Sequence, residues 1–301
     1  MLVLDRVRRS FGSLAAVRDV SLRVPAGSVF GLLGPNGAGK TTIMRMILGI
    51  YPPDGGTIAW RDQAIDSDVR RRFGYLPEER GLYGSLRVRE QIAYFGELHG
   101  LARRAAQRAA DEWLALLGIE HYARRKTSEL SKGNQQKVQM AAAVVHAPEV
   151  LILDEPFSGL DPQNAEAILD CIRLLAKRGT TLLLSSHQMW QIEDACESFC
   201  IISAGEVRAL GSLSSLRADF PTRTVRVGPD LPALRTVFAE RGFPEPRRAN
   251  DGDLLYLTSA ETDFGALLRA AVAAVPLETF ERIEPSLGDI YSRAVGPQAV
   301  A

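Results

Sequence analysis

Ser28–Gly49 reads SVFGLLGPNGAGKTTIMRMILG, and the order of apolar and glycine-rich pieces within it decides the fold. Val29, Phe30, Leu32 and Leu33 form a short apolar strand, and Ile43–Ile50 has the apolar density of a buried helix. Between them Gly34–Thr41 (GPNGAGKT) matches G-x-x-x-x-G-K-[ST], with the strand before it and the helix after it that the motif requires. Glycines let the backbone wrap so that several N–H groups point at phosphate oxygens, and the helix N-terminus adds its partial positive charge. In that arrangement Lys40 reaches the β- and γ-phosphates of a nucleotide, and the Thr41 hydroxyl is a ligand for Mg²⁺. The bland reading is a strand-to-helix turn without a ligand.

Two more apolar runs extend the same sheet. Val150–Asp154 (VLILD) is a central parallel strand with a carboxylate at its ligand-side tip. Asp154 there holds Mg²⁺ through water, and Glu155 is placed to take a proton from an attacking water. Thr180–Ser186 (TTLLLSS) is another buried strand, ending at His187. Set beside the other two strands in a doubly wound sheet, it projects His187 over the same crevice. A neutral imidazole there contacts a γ-phosphate and reports its presence.

The chain carrying these motifs has 301 residues, with 36 Lys+Arg against 36 Asp+Glu and only three Cys. The length suits one large domain or two smaller ones. Zero net charge argues against holding nucleic acid or anionic lipid by bulk electrostatics. So few Cys exclude a disulfide scaffold and suit a reducing compartment. No apolar run approaches the roughly 18 residues of a membrane span, and Met1–Arg9 lacks the apolar stretch of a signal peptide. Only five basic residues are Lys, so Lys40 stands out as a compact point charge in an Arg-rich chain.

Five separated motifs in one order resemble the ATP-binding subunit of ABC transporters. Besides the P-loop, Leu130–Asn134 (LSKGN) looks like the signature LSGGQ, and Asp154-Glu155 like the Walker B pair. Ser158–Asp161 (SGLD) looks like the D-loop, and His187 like the switch histidine. Phe11 is similar to the aromatic that stacks on adenine. The resemblance covers about residues 2–215. It implies an α/β fold: a P-loop NTPase (RecA-like) core with an antiparallel β subdomain and an inserted helical subdomain at about 86–145. It implies ATP and Mg²⁺ as cofactors, with Phe11, Val17, Asn36, Gly37, Ala38, Gly39, Lys40, Thr41 and Thr42 at the nucleotide. Ser131, Gly133, Asn134 and Asp161 face the γ-phosphate of a second copy, so that two ATP molecules are sandwiched between head-to-tail subunits. Ser131 also suits the N-cap of a helix over Lys132–Val145.

Departures from the family pattern fall in two places. The signature has Lys132 and Asn134 where Gly and Gln are usual. Gly74–Glu78 (GYLPE) aligns with the Q-loop, and Glu78 replaces its usual Gln. A carboxylate adds negative charge near the metal and donates no hydrogen bond unless protonated. Glu78 is therefore read as an altered catalytic and metal-site residue. The run Gly74–Tyr83 (GYLPEERGLY) resembles a bacterial exporter subgroup that includes sodium and drug extrusion systems.

Elsewhere, Leu2, Leu4 and Val7 suggest an edge strand, and Cys196 and Cys200, four apart, suggest one face of a helix. From about residue 222 the pattern changes. Thr222–Val227 and Leu277–Ile283 alternate as strands, while Leu231–Glu240 and Phe264–Ala274 read as amphipathic helices. Pro285–Ile290 caps a last helix. Residues 221–301 are thus expected to form a small α+β accessory domain after an ATP-binding domain at 1–220.

The resulting expectation is an ATPase subunit that pairs with a second ATP-binding subunit, identical or closely paralogous, and powers a separate transmembrane permease, with export favoured. It is placed peripherally on the cytoplasmic face of the cell membrane, with no nucleic-acid partner. The alternative is a soluble ABC-type ATPase acting on ribosome or DNA. One P-loop and no long coiled coil in 301 residues argue against that. A plain P-loop kinase leaves Ser131–Asn134 and Asp161 without a purpose.

Overall fold

The computed structural model describes residues 1–79, 81–186 and 189–296. They form two units, built on Met1–Ser212 and Leu213–Arg293.

In the first unit, alternating apolar residues form β1 (Leu2–Phe11) and β2 (Leu14–Val24). The uniformly buried β3 (Val29–Leu33) leads through the glycine-rich loop into α1 (Lys40–Ile47). Then come β4 (Gly55–Trp60), β5 (Gln63–Ala64), α2 (Ser67–Arg70) and β6 (Phe73–Leu76). Three longer helices follow: α3 (Val88–Leu98), α4 (Arg103–Leu116) and α5 (Lys132–Val144). The unit is completed by β7 (Val150–Leu153), α6 (Pro162–Lys177), β8 (Thr181–Ser186), α7 (Met189–Ile192), β9 (Ser198–Ser203) and β10 (Glu206–Ser212).

These strands make two sheets. One is antiparallel, in the order β2-β1-β4-β5. β1 is therefore an interior strand rather than the expected edge, with Leu2 opposite both Val24 and Trp60. Alternation within β1 does not reveal a partner as distant in the chain as β4. The other sheet runs β10-β9-β3-β8-β7-β6, parallel except for β10. Its central strands β3, β7 and β8 are buried at every position, which is why they read as unbroken apolar runs. β8 lies between β3 and β7, so the glycine-rich loop, the acidic tip and the end of β8 share one sheet edge.

One core joins the two sheets, with Leu2, Leu4 and Trp60 from the first packed with Phe30, Ile152 and Leu183 from the second. A polar clasp seals it: Trp60 Nε1 donates to Glu149 Oε2 at 2.9 Å, and Arg72 donates to Oε1 at 3.0 Å. Burial raises the Glu149 carboxyl, but these donors outweigh it and hold the group below its ordinary value. Cys196 and Cys200 do not share a helix. Cys196 precedes β9 and Cys200 lies within it, a turn having broken the helical period between them. Both thiols are free and buried, and burial pushes that of Cys200 up to about 12.

The second unit contains α8 (Leu213–Ala218), β11 (Thr222–Gly228), α9 (Pro232–Ala239), β12 (Arg247–Arg248), β13 (Leu254–Ser259), α10 (Phe264–Ala274), β14 (Thr279–Ile283) and α11 (Leu287–Val295). Its antiparallel sheet has the order β12-β13-β11-β14, a split β-α-β arrangement. Val225, Val227, Leu234, Phe238, Tyr256 and Leu267 form its core. Among the described residues no helix is long and apolar enough to cross a membrane.

Candidate nucleotide site

The loop between β3 and α1 depends on glycine where neighbouring backbone crowds it. Gly39 has φ 106°, and a Cβ there would stand 2.5 Å from the Ala16 carbonyl oxygen. A Cβ on Gly205 would approach the same oxygen to 2.9 Å. Gly205 also links the loop to β2: its N–H donates to Ala38 O at 3.1 Å, and its carbonyl accepts from Arg18 N at 2.8 Å. α1 begins at Lys40 with no side-chain cap, which leaves its first-turn N–H groups available to an anion.

Lys40 is 6% exposed. Its ammonium donates to Gly34 O at 2.7 Å and Pro35 O at 3.3 Å, and lies 3.6 Å from Glu155 Oε1. Asp154 is 1% exposed. Its Oδ1 accepts from Ser185 Oγ at 2.7 Å, while its Oδ2 is buried with no hydrogen-bond partner. A desolvated carboxylate oxygen without a donor is complemented by a cation, so the donor set fits a hard divalent metal. Glu155 occupies the left-handed region at φ 50°, with its N–H donating to Ser185 Oγ at 2.9 Å. Such a backbone persists only where its surroundings hold it.

These groups face a cleft of about 340 Å³. It brings together Phe11, Asn36, Gly37, Ala38, Gly39, Lys40, Thr41, Thr42, Glu78, Asp154 and Glu155. Phe11 sits at the rim, edge-on to Tyr51 at 5.3 Å between ring centroids, with the Arg9 guanidinium 5.0 Å from its own. Val17 does not line the cleft. It is buried behind the loop, and the alternation of β2 turns Leu14 and Ala16 to the cleft instead. His187 lies outside the described residues.

A second group lies apart from the cleft lining. Ser131 N-caps α5 as its residue type suggests, accepting from Asn134 N at 3.4 Å. Asp161 N-caps α6, accepting from Asn164 N at 2.9 Å and from Asn164 Nδ2 at 2.6 Å. The Asn164 N–H holds the Asp161 carboxyl below its ordinary value. A Cβ on Gly133 would fall 2.3 Å from Asn164 Nδ2, so Asn164 joins Gly133 to Asp161.

Three positioning residues went unread in the sequence. Ser185, fully buried in β8, ties Asp154 to Glu155. On α5, Gln136 Nε2 donates to Pro156 O at 2.9 Å, and Gln139 Nε2 to Pro77 O at 3.0 Å and Glu79 O at 3.4 Å. The available signal was polarity in buried segments: a hydroxyl in an apolar strand, and two amides three residues apart on one helix face.

A sequence family described as ABC transporter matches residues 17–158. YhaQ of Bacillus subtilis (strain 168), an uncharacterized ABC transporter ATP-binding protein, is 40% identical over 298 residues, 98% of this chain and 99% of that protein. The Nod factor export ATP-binding protein I of Paraburkholderia xenovorans (strain LB400) is 39% identical over 240 residues, 78% of this chain and 79% of that protein. A solved structure of the ATP binding subunit of an ABC transporter superposes with a TM-score of 0.67 at 31% identity, over 72% of this chain and 92% of that one. Identity at this level over nearly the whole of YhaQ shows that this chain belongs to the ATP-binding subunits of ABC transporters, which are ATPases.

Proposed function

We propose that this chain hydrolyses ATP within a dimer of ATP-binding subunits and so drives a separate transmembrane permease that exports its substrate. The observation that carries the reading is the division of the site. Lys40, Asp154 and Glu155 face one cleft, whereas Ser131, Gly133, Asn134 and Asp161 gather elsewhere at the starts of α5 and α6. A hydroxyl-capped helix start beside a glycine suits a γ-phosphate but has no phosphate loop of its own to face. A second copy or close paralogue placed head to tail supplies that loop, and each subunit completes the other's site.

Within one site, Lys40 and the loop amides hold the β- and γ-phosphates, and Phe11 stacks on adenine. Thr41 and Asp154 would hold Mg²⁺, with Glu78 on the lining of the same cleft, and the bound metal would offset phosphate charge. Glu155 polarises the attacking water, and His187 reads the γ-phosphate. The likeness to a Nod factor export protein and the GYLPEERGLY run support export. The subunit sits peripherally at the cytoplasmic face through its permease, with residues 1–220 as ATP-binding domain, 221–301 as accessory domain and no nucleic-acid partner.

Glu155→Gln is expected to bind ATP, dimerise and turn over about 10²–10⁴-fold more slowly. Phosphate release and size-exclusion chromatography in ATP read these out. Rapid hydrolysis by that variant would sink the general-base role. Recovery of the native protein only in ribosome fractions, rather than with a membrane partner, would overturn the transport reading.

A further inference from the structure

The described lining of the cleft holds more acidic than basic side chains. Lys40 is the one basic side chain among its described lining residues, facing the carboxylates of Glu78, Asp154 and Glu155. Its ammonium already donates to two loop carbonyls and lies 3.6 Å from Glu155. Counted as formal charges, one ammonium and three carboxylates sum to −2, against a ligand that itself carries several negative charges. Asp154 adds a buried, unpartnered oxygen on the same side.

Glu78 is the group that tips this balance. Its side chain is exposed, but its backbone is held on both sides, because Gln139 Nε2 donates to the carbonyls of Pro77 and Glu79. No basic group among the described residues forms an ion pair with it. A glutamine would keep the size and remove the charge.

We propose that Glu78 makes nucleotide capture by this chain conditional on a divalent cation: without one the third carboxylate repels the triphosphate, and with one the same carboxylate helps to hold the metal–nucleotide pair. This rests on the reading of the cleft as an ATP–Mg²⁺ site. Asp154 and Glu155 are fixed by Ser185 and Lys40, whereas Glu78 supplies an adjustable charge at the mouth. Nucleotide alone is thereby disfavoured relative to the metal–nucleotide complex.

The test is the affinity of the full-length protein for ATP, by titration calorimetry in the cold, in EDTA and in excess Mg²⁺. The ratio of the two dissociation constants is the readout. A unit charge within about 4–6 Å of a bound charge shifts an equilibrium by roughly tenfold or more, and a solvent-exposed one by less. Glu78→Gln should accordingly lower the ratio about three- to tenfold, chiefly by tightening the EDTA value, while Glu78→Asp keeps the ratio near wild type. An unchanged ratio in Glu78→Gln, or an equal fall in Glu78→Asp, would overturn the proposal. Lys40→Ala separates the two levels. If it binds ATP as the native chain does, the cleft is not the nucleotide site and both readings fail. If it loses ATP while Glu78→Gln leaves the ratio unmoved, only the role of Glu78 fails.

Discussion

Ser185 Oγ stands 2.7 Å from Asp154 Oδ1, and the same oxygen accepts the N–H of Glu155 at 2.9 Å. One hydroxyl on β8 thus sets the rotamer of the first carboxylate and the backbone of the second. Removing it leaves the buried Asp154 with a further unpaired oxygen and Glu155 with an unpaired N–H. Ser185→Ala should cost about 2 kcal/mol of stability and lower kcat roughly tenfold or more. Urea unfolding and phosphate release measure the two effects. Wild-type values for both would mean that the hydroxyl positions nothing.

The glycines of the phosphate loop should not be equivalent. A Cβ on Gly39 collides with the Ala16 carbonyl, whereas a Cβ on Gly37, at φ 78°, meets nothing within 4 Å. Gly37→Ala should therefore cost only the left-handed backbone penalty, about 1 kcal/mol, and keep ATP binding within a few-fold. Gly39→Ala should displace the loop and abolish measurable binding. Equal losses in the two variants would show that backbone conformation, not the close approach, matters.

Gly133 offers a way to separate nucleotide binding from assembly. Alanine there must push Asn164 away, which releases its hydrogen bond to Asp161. Gly133→Ala should keep ATP affinity per subunit, because none of these groups lines the cleft, yet lose ATP-induced dimers and most turnover. The chromatography is best done in the Glu155→Gln background. Dimers as abundant as in that parent would remove Gly133 from the interface.

His146 should give the first unit a pH-dependent stability. Its ring stacks on His99 at 3.6 Å, and its Nε2 lies 3.1 Å from Phe73 O. Burial first, and then the neighbouring His99, push it down to about 4. The unfolded imidazole takes up its proton near pH 6.5, so between 6.5 and 4 the unfolded chain binds a proton that the native one resists. The contribution is complete above 6.5 and falls as pH drops toward 4, by about 2 kcal/mol for a partly exposed ring. Urea unfolding from pH 7 to 4 should show a shallower decline for His146→Gln than for the native chain. Parallel curves would count against this origin.

Legibility in the sequence followed locality. The loop, the acidic tip and the cap at Ser131 were readable because each is a short run whose chemistry is complete within about ten residues. β3, β7 and β8 announced themselves because burial on both faces leaves no polar position. Ser185 did not, since a hydroxyl in an apolar strand gains meaning only once β7 lies beside it. Cys196 and Cys200 misled for a related reason: a spacing of four fits a helix, but a turn and a strand can produce it too. The interior place of β1 depended on β4, a partner that no local pattern names.

The Ala16 carbonyl sits where two absent methyl groups, those that alanine would bring at Gly39 and Gly205, leave it room. Ala16 also lines the cleft beside Leu14 and Phe11. One peptide of β2 is therefore wedged between the glycine-rich loop and the turn joining β9 to β10, and it ties the position of each to the other. The glycine-rich loop is for that reason not a portable module in this chain. Grafted into another scaffold without residues 14–17 and the turn at Gly205, it would carry the motif and lose the neighbours that hold its shape.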